Sequence, residues 1–270
     1  MTAHESVRRE ILLNNGVTMP TLGLGVWEMR DGEETENAVR WALETGYRLF
    51  DTAKLYGNER SVGKAVRASE TPRAEVFVTT KLWPSDFARV ERAFEGSLKR
   101  LDLGYIDLYL IHFPAAFIPG FGAVRRRVWA TLEKLYARKL VRAIGVSNYS
   151  AANILEILAA GTIPPAVNQI KLNPFSYDRK LVAFCKSGNI AVEAYSPLTR
   201  ARRLNHPVIA QIAGAHSRSP AQILIRWALQ HGTIVIPKSS RRDRIAENAR
   251  VFDFELSADE VDSLNRLSSH

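Results

Sequence analysis

Residues 49–81 read LFDTAKLYGNERSVGKAVRASETPRAEVFVTTK and contain the pattern that decides the fold. Short apolar and β-branched runs at 49–51 and 76–80 predict two strands, and the segment at 59–68 between them has the apolar spacing of a helix. Two strands that are connected by a helix lie parallel to each other, because the helix returns the chain to the end of the sheet at which the first strand began. The stretch therefore predicts one βαβ unit.

The same alternation continues through most of the chain. A hairpin is predicted first, at 10–13 and 17–21, around Asn15-Gly16, a pair that favours a tight turn. Strands are predicted at 22–24, 49–51, 76–80, 107–111, 143–146, 167–170, 190–194 and 234–236. Helices are predicted at 33–45, 59–68, 88–101, 128–139, 151–160, 178–187 and 220–230, with additional helices at 207–216, 241–250 and 258–266. The chain is thus expected to form one domain, 1–270, an α/β protein of the (β/α)8 TIM-barrel type with an N-terminal β-hairpin and extra C-terminal helices.

An open, doubly wound sheet would show the same alternation of strands and helices. Sheets of that kind that bind dinucleotides carry a third glycine in the turn after the first strand. Here Gly23 and Gly25 follow the pattern, but Glu28 occupies the position of the third glycine. The barrel is therefore the favoured interpretation.

Charge and composition limit the classes of function. The formal net charge is +9, with basic runs at 125–127, 200–203 and 241–244. No array of aromatic residues accompanies these runs, so solvated faces or an anionic small molecule are favoured over nucleic acid. The six histidines are scattered, which predicts no metal site and argues against a metal-dependent hydrolase.

Location and assembly are predicted from simpler signals. The only cysteine, Cys185, cannot form an internal disulfide, which favours a cytoplasmic protein. The first ten residues lack the apolar run of a secretory signal, and the apolar stretch at 108–124 is interrupted by prolines and glycines. We therefore expect no membrane segment, a buried strand and a loop at 108–124, and a monomer.

Polar residues fall where predicted strands end. Asp51, Lys81 and His112 end three successive strands, and Tyr56 lies just after Asp51. Each type commonly has a structural role, but the carboxyl ends of barrel strands meet at the face where active sites are built. A neighbouring Lys81 ammonium should lower the pKa of the Tyr56 phenol, Asp51 should hold that ammonium, and His112 could orient a carbonyl group.

Short motifs form an ordered set from Leu22 to Asn248. They are GLG at 23–25 with Trp27, DTAKLYGNE at 51–59, TKLW at 80–83, IHFP at 111–114, GVSNY at 145–149, NQ at 168–169, AYSPL at 194–198, IPKS at 236–239 and RIAEN at 244–248. In these motifs and their order the chain resembles the aldo-keto reductases, in particular bacterial members similar to 2,5-diketogluconate and methylglyoxal reductases.

The resemblance implies an NADPH-dependent oxidoreductase that reduces aldehydes and ketones by hydride transfer, with Tyr56 as the general acid. It implies a catalytic tetrad of Asp51, Tyr56, Lys81 and His112. It also implies that NADPH (NADP+) is bound by Ser147, Asn148 and Gln169 at the carboxamide, Tyr195 at the nicotinamide ring, Lys238, Ser239 and Arg244 at the adenosine 2′-phosphate, and Glu247 and Asn248 at the adenine, with Ser196 and Leu198 as further cofactor-binding residues. Trp27, Trp83, Phe113 and His112 would line the substrate cleft.

Some positions depart from the usual pattern of the family. Phe113 stands where tryptophan is more usual, Lys171 and Asn173 replace acidic and imidazole residues, and no glycine follows Leu198. The chain ends soon after its last predicted helix, which favours an open cleft and small carbonyl or dicarbonyl substrates. One alternative stays open: some barrel relatives are cofactor-binding regulatory subunits of membrane channels and perform no catalysis.

Overall fold

Eight parallel strands form the centre of the protein. The computed structural model describes residues 9–115 and 121–268. The strands of this sheet are β3 (Gly23–Gly25), β4 (Leu49–Asp51), β5 (Phe77–Leu82), β6 (Ile106–Ile111), β7 (Val141–Ser147), β8 (Val167–Lys171), β9 (Ala191–Tyr195) and β10 (Ile234–Val235). Each strand pairs with the next one along the chain, from β3 to β10.

The sheet closes on itself. Leu22, just before β3, forms a parallel bridge with Val235 of β10. The backbone N–H of Val235 donates to Thr21 at 2.8 Å, and that of Gly25 donates to Pro237 at 3.1 Å. First and last strands are thus joined, which confirms the predicted (β/α)8 barrel over the doubly wound alternative.

Helices surround the barrel. In the described part of the chain they are α1 (Glu33–Thr45), α2 (Glu59–Arg67), α3 (Val90–Leu101), α4 (Gly122–Ala137), α5 (Ala151–Leu158), α6 (Arg179–Ser187), α7 (Pro207–His216), α8 (Pro220–Gln230), α9 (Arg242–Ala249) and α10 (Ala258–Asn265). Ser219 and Ser257 cap α8 and α10, each accepting a hydrogen bond from the third residue of its helix. Across the described ranges, no helix combines the length and apolar character needed to span a membrane.

The N-terminal hairpin covers one end of the barrel. Strands β1 (Glu10–Leu12) and β2 (Thr18–Pro20) pair antiparallel, and Gly16 takes the left-handed backbone, with φ 83°, that the predicted turn requires. The side chains of Asn14 and Asn15 donate to the carbonyls of Pro165 and Arg142, which lie near the starts of β8 and β7, at 2.9 Å each. The hairpin therefore occupies the end where strands begin and leaves the opposite end free for a site.

The end of the predicted 108–124 segment, at 122–124, is helical and not a loop. Helix α4 begins at Gly122, six positions before the predicted start at residue 128. Arg125 stabilises this early turn, because its buried guanidinium donates to Pro114 at 3.2 Å and to Glu156 at 2.5 Å. The interpretation of the 125–127 run as a wholly solvated face is therefore wrong for Arg125. Residues 116–120 of the predicted loop lie outside the described residues.

The packing of α2 against α3 allows a direct stability test. A Cβ atom added at Gly63 of α2 would lie 1.8 Å from the carbonyl oxygen of Leu101, at the end of α3. We expect Gly63→Ala to lower the free energy of unfolding by about 1–3 kcal/mol, because backbone atoms must move apart. Gly214→Ala, in α7, is the control, since a Cβ atom added there meets nothing within 4 Å. Urea titration measures both variants, and an equal effect of the two would contradict the packing.

Candidate active site

The strand ends bring the four predicted catalytic side chains to one rim. Asp51 is the last residue of β4, Lys81 is the penultimate residue of β5, and His112 directly follows β6. Tyr56 ends a short 3-10 turn, Lys54–Tyr56, that follows β4. The rim is the one opposite the hairpin, where the barrel is accessible.

The ammonium of Lys81 is the centre of this group. Its side chain is completely buried. Its Nζ donates to Asp51 Oδ1 at 2.6 Å, to the backbone carbonyl of Thr52 at 2.9 Å and to the Tyr56 hydroxyl at 3.2 Å. An ammonium has three N–H donors, so each of them has an acceptor. The buried charge is paired and hydrogen-bonded, as a stable fold requires.

Burial and charge act against each other on the acid–base groups. Burial alone would lower the pKa of Lys81, but Asp51 and Tyr56 together raise it above its ordinary value, so the amine stays charged. Burial raises the pKa of Asp51, and Lys81 and a Gln169 N–H counteract that rise. Burial also raises the pKa of Tyr56 to about 12, because the lowering effect of Lys81 is smaller. The expectation of a lowered phenol pKa is therefore wrong, and Tyr56 keeps its proton at neutral pH.

His112 is a neutral imidazole next to the phenol. Burial, assisted by the Lys81 ammonium, lowers its pKa to about 3. Its ring meets the ring of Tyr56 edge-on at 5.6 Å and that of Trp83 edge-on at 5.0 Å, measured between centroids. At neutral pH it can act as a hydrogen-bond donor but carries no charge.

The predicted substrate-lining residues lie in the loops at this rim. Trp27 and Trp83 are half-buried, and Phe113 is exposed. The guanidinium of Arg200 lies 4.3 Å from the centroid of the Trp27 ring, a cation–π contact that the sequence did not predict. It joins the loop after β9 to the loop after β3.

The loop after β9 is the one in which no glycine follows Leu198. Thr199, Arg200 and Ala201 all have left-handed backbone angles, with φ of 52°, 53° and 62°. Such angles strain residues other than glycine. Ser196, with φ 50°, and Leu198, half-buried against the core, begin this loop. Its conformation is what carries Arg200 to Trp27.

The residues predicted to hold nicotinamide form a connected set. Ser147 ends β7, and Asn148 follows it with φ 62°. The Asn148 amide donates to Ser147 Oγ at 3.0 Å and to the His112 carbonyl at 3.1 Å, and its oxygen accepts from the Tyr195 hydroxyl at 2.8 Å. Gln169 of β8 lies deeper, where its Nε2 donates to Asp51 Oδ2 at 2.8 Å. The set is therefore linked to the tetrad through His112 and Asp51.

The predicted phosphate residues lie after β10 and in α9. Lys238 and Arg244 are exposed, and neither forms an ion pair within the described ranges. By contrast, Arg241 pairs with Asp243 at 2.7 Å, and Arg242 pairs with Glu44 at 3.1 Å. The two predicted phosphate ligands thus remain available, unlike Arg241 and Arg242.

The other three predicted residues of this end are held close by. Ser239 is buried, and its Oγ accepts from the Arg241 N–H at 3.2 Å. Glu247 is half-buried and Asn248 is buried on α9. All five predicted residues lie between the end of β10 and the end of α9.

Sequence reasoning missed Glu193. This residue of β9 is completely buried and accepts a hydrogen bond from Gln169 Nε2 at 2.7 Å. Burial, with a smaller effect of Asp51, raises its pKa to about 8. The available signal was a single charged residue in the apolar strand IAVEAY, at 190–195, because strands of a closed barrel are covered on both faces.

The fold and the rim site define a (β/α)8 barrel with a buried acid–base group at its rim, and comparison with known proteins gives the family. Residues 21–269 match the model of the "Aldo/keto reductase family". The chain is 48% identical to a 9,11-endoperoxide prostaglandin H2 reductase of Trypanosoma cruzi, over 96% of this chain and 91% of the relative. It is 42% identical to a glyoxal reductase of Bacillus subtilis, over 97% of this chain and 94% of the relative. A solved Bombyx mori aldo-keto reductase in complex with NADP has a TM-score of 0.87 and 38% identity, covering 96% of this chain and 92% of that one. The chain belongs to the aldo/keto reductase family.

The buried ion pair allows a stability prediction. Lys81→Met should lower the free energy of unfolding by roughly 3–5 kcal/mol, because it leaves the Asp51 carboxylate without its buried partner. The double variant Lys81→Met/Asp51→Asn should regain much of the lost free energy of unfolding. Lys54→Met, which breaks the partly exposed pair with Asp86, should cost under about 1 kcal/mol. Urea unfolding of the four proteins is the measurement, and similar losses for both lysine variants would refute a buried, coupled pair.

Proposed function

We propose that this protein reduces small aldehydes, ketones and dicarbonyl compounds to alcohols with NADPH, and that Tyr56 supplies the proton. One observation carries the proposal: Lys81 donates to both Asp51 and Tyr56 at the accessible rim of the barrel. This unit holds a phenol proton next to a fixed positive charge. The family membership of the chain supports the same chemistry.

The residues divide the proton chemistry between them. Tyr56 donates its O–H to the oxygen of the substrate carbonyl, and the Lys81 ammonium, at 3.2 Å, stabilises the phenolate that remains. Asp51 keeps Lys81 charged and in place. The phenol is a weak acid in this buried position, so proton donation must accompany the formation of an alkoxide, which is a far stronger base than a carbonyl oxygen.

His112 and the aromatic side chains position the substrate. A neutral imidazole donates a hydrogen bond to the carbonyl oxygen without competing with Tyr56 as a charged acid. Trp27, Trp83 and Phe113 offer apolar faces to the carbon skeleton. The cleft is thus polar at one point and apolar around it, which suits small carbonyl compounds.

The arrangement also fits NADPH. Ser147, Asn148 and Gln169 offer hydrogen-bonding groups for the nicotinamide carboxamide, and Tyr195 offers a ring for stacking. Lys238, Ser239 and Arg244 offer charged and polar donors for the 2′-phosphate, with Glu247 and Asn248 near the adenine. When bound, NADPH supplies the hydride. Because the Lys238 and Arg244 cations are unpaired, they favour binding of NADPH, which carries the 2′-phosphate, over NADH, which lacks it.

The setting of the enzyme is a further part of the proposal. Cys185 is free and buried, which agrees with a reducing, cytoplasmic compartment. Exposed large apolar side chains among the described residues are Leu12, Leu55, Phe113, Leu155 and Leu158. Leu155 and Leu158 lie one turn apart on α5, and the other three lie on separate elements, so the exposed apolar groups are small, which supports a monomer of one domain.

Replacing the proton donor tests the reaction. Tyr56→Phe should lower kcat for reduction of 4-nitrobenzaldehyde by roughly 10²- to 10⁴-fold, because the ring remains while the proton is removed. The Kd for NADPH, measured by fluorescence, should change by less than about twofold, since the hydroxyl contacts Lys81 rather than the phosphate residues. An unchanged kcat would show that another group donates the proton. No turnover of 4-nitrobenzaldehyde by the wild type would favour the alternative, cofactor binding without catalysis.

Removing the phosphate cations tests cofactor choice. Lys238→Ala and Arg244→Ala should each weaken NADPH binding by about tenfold or more and leave NADH binding within about twofold, because only NADPH carries the 2′-phosphate. Arg242→Ala is the matched control, since Arg242 is paired with Glu44. Calorimetric titration of both cofactors gives the comparison. Equal weakening of NADPH and NADH would remove these residues from the phosphate site.

A further inference from the structure

Glu193 is a buried carboxyl group that the proposed proton transfer does not use. It lies beside Gln169 in the parallel register of β8 and β9. Glu193 interacts electrostatically with Asp51 of β4, with Lys81 of β5 and with the phenol of Tyr56. Its register neighbours on β8 and β10, Gln169 and Ile234, carry no charge. Glu193 therefore belongs to the polar layer directly beneath the tetrad.

A single amide group joins Glu193 to the tetrad. Gln169 Nε2 donates to Asp51 Oδ2 at 2.8 Å and to Glu193 Oε2 at 2.7 Å. The two N–H bonds of the amide thus have one carboxyl acceptor each. The reverse orientation is unfavourable, because Asp51 already accepts from Lys81 and would repel an amide oxygen at that distance.

This double contact fixes the plane of the Gln169 amide. One acceptor alone would leave the amide free to turn about the N–H bond to Asp51. With both N–H groups engaged, the carbonyl oxygen of the same amide must lie on the side away from the two carboxyl groups. That oxygen can accept only, and the carboxamide of nicotinamide offers N–H donors.

Glu193 is best suited to this role as a neutral acid. Its Oε1 is buried and has no hydrogen-bond partner among the described residues, and an unpartnered oxygen costs less on a neutral acid than on a carboxylate. Burial raises its pKa to about 8, in agreement with this. One ammonium, Lys81, then balances one carboxylate, Asp51, inside the barrel.

We propose that Glu193 is a positioning residue that acts through Gln169: as the second acceptor of the amide N–H groups, it holds the Gln169 oxygen where the carboxamide of nicotinamide donates to it. The inference rests on the proposed NADPH-dependent function. It assigns Glu193 to recognition of the nicotinamide half of the cofactor and not to proton transfer.

The test compares the whole cofactor with a fragment of it. Kd values for NADP+ and for adenosine 2′,5′-bisphosphate, which lacks nicotinamide, are measured by calorimetry. Glu193→Met removes the acceptor at similar length and should weaken NADP+ by roughly 3- to 10-fold, while the fragment binds as it does to the wild type. Glu193→Gln retains a neutral acceptor oxygen and should bind both ligands within about twofold of the wild type. Glu193→Leu takes the place of the Met variant if the latter does not fold.

A double variant shows whether Glu193 acts through Gln169. Gln169→Met should weaken NADP+ at least as much as Glu193→Met, and the double variant should lose no more than Gln169→Met alone. Additive losses, equal losses for cofactor and fragment, or a loss in Glu193→Gln as large as in Glu193→Met would each overturn the inference. Failure of the wild type itself to bind either ligand would overturn the proposed function together with it. If the wild type binds NADP+ and Glu193→Met binds it equally well, only this inference is overturned.

Discussion

The ammonium of Lys81 lies in a barrel interior that excludes water, and its pairing with Asp51 is the condition for the rest of the site. Without that carboxylate a fully buried amine would lose its charge, since burial favours the neutral form. Because the pair is intact, the third N–H of the ammonium can point at the Tyr56 oxygen. The closed sheet supplies the geometry, since Asp51 and Lys81 lie on adjacent strands near their carboxyl ends.

The polar layer around this pair is balanced in charge and connected by hydrogen bonds. Gln169 links Asp51 to Glu193, whose pKa is raised to about 8 by burial. An ionised Glu193 would add negative charge near Tyr56 and make the phenol a still weaker acid. The same amide is the one that we propose meets the carboxamide of nicotinamide. In the proposed function, proton donation and cofactor binding therefore share one hydrogen-bond network.

Sequence alone predicted what depends on strand position. The barrel and the grouping of the tetrad follow from which residues end the strands, and in the structure Lys81 contacts both Asp51 and Tyr56. The sign of the Tyr56 pKa shift could not be obtained this way, because the extent of burial is a property of the packed site. Glu193 was missed since its neighbour across the strands, Gln169, is defined only by register. The contact of Arg200 with Trp27 depends on three loop residues with left-handed backbone angles, and no local sequence pattern predicts those angles.

The proton on Tyr56 at physiological pH is the central claim, and NMR of 13Cζ-labelled tyrosine measures it directly. The chain has eight tyrosines, and the spectrum of Tyr56→Phe identifies the signal of Tyr56 by its loss. Because burial raises the pKa of this phenol to about 12, its signal should keep the chemical shift of a protonated tyrosine throughout a titration to about pH 9.5. Conversion of Tyr56 to phenolate at or below about pH 8 would contradict the account.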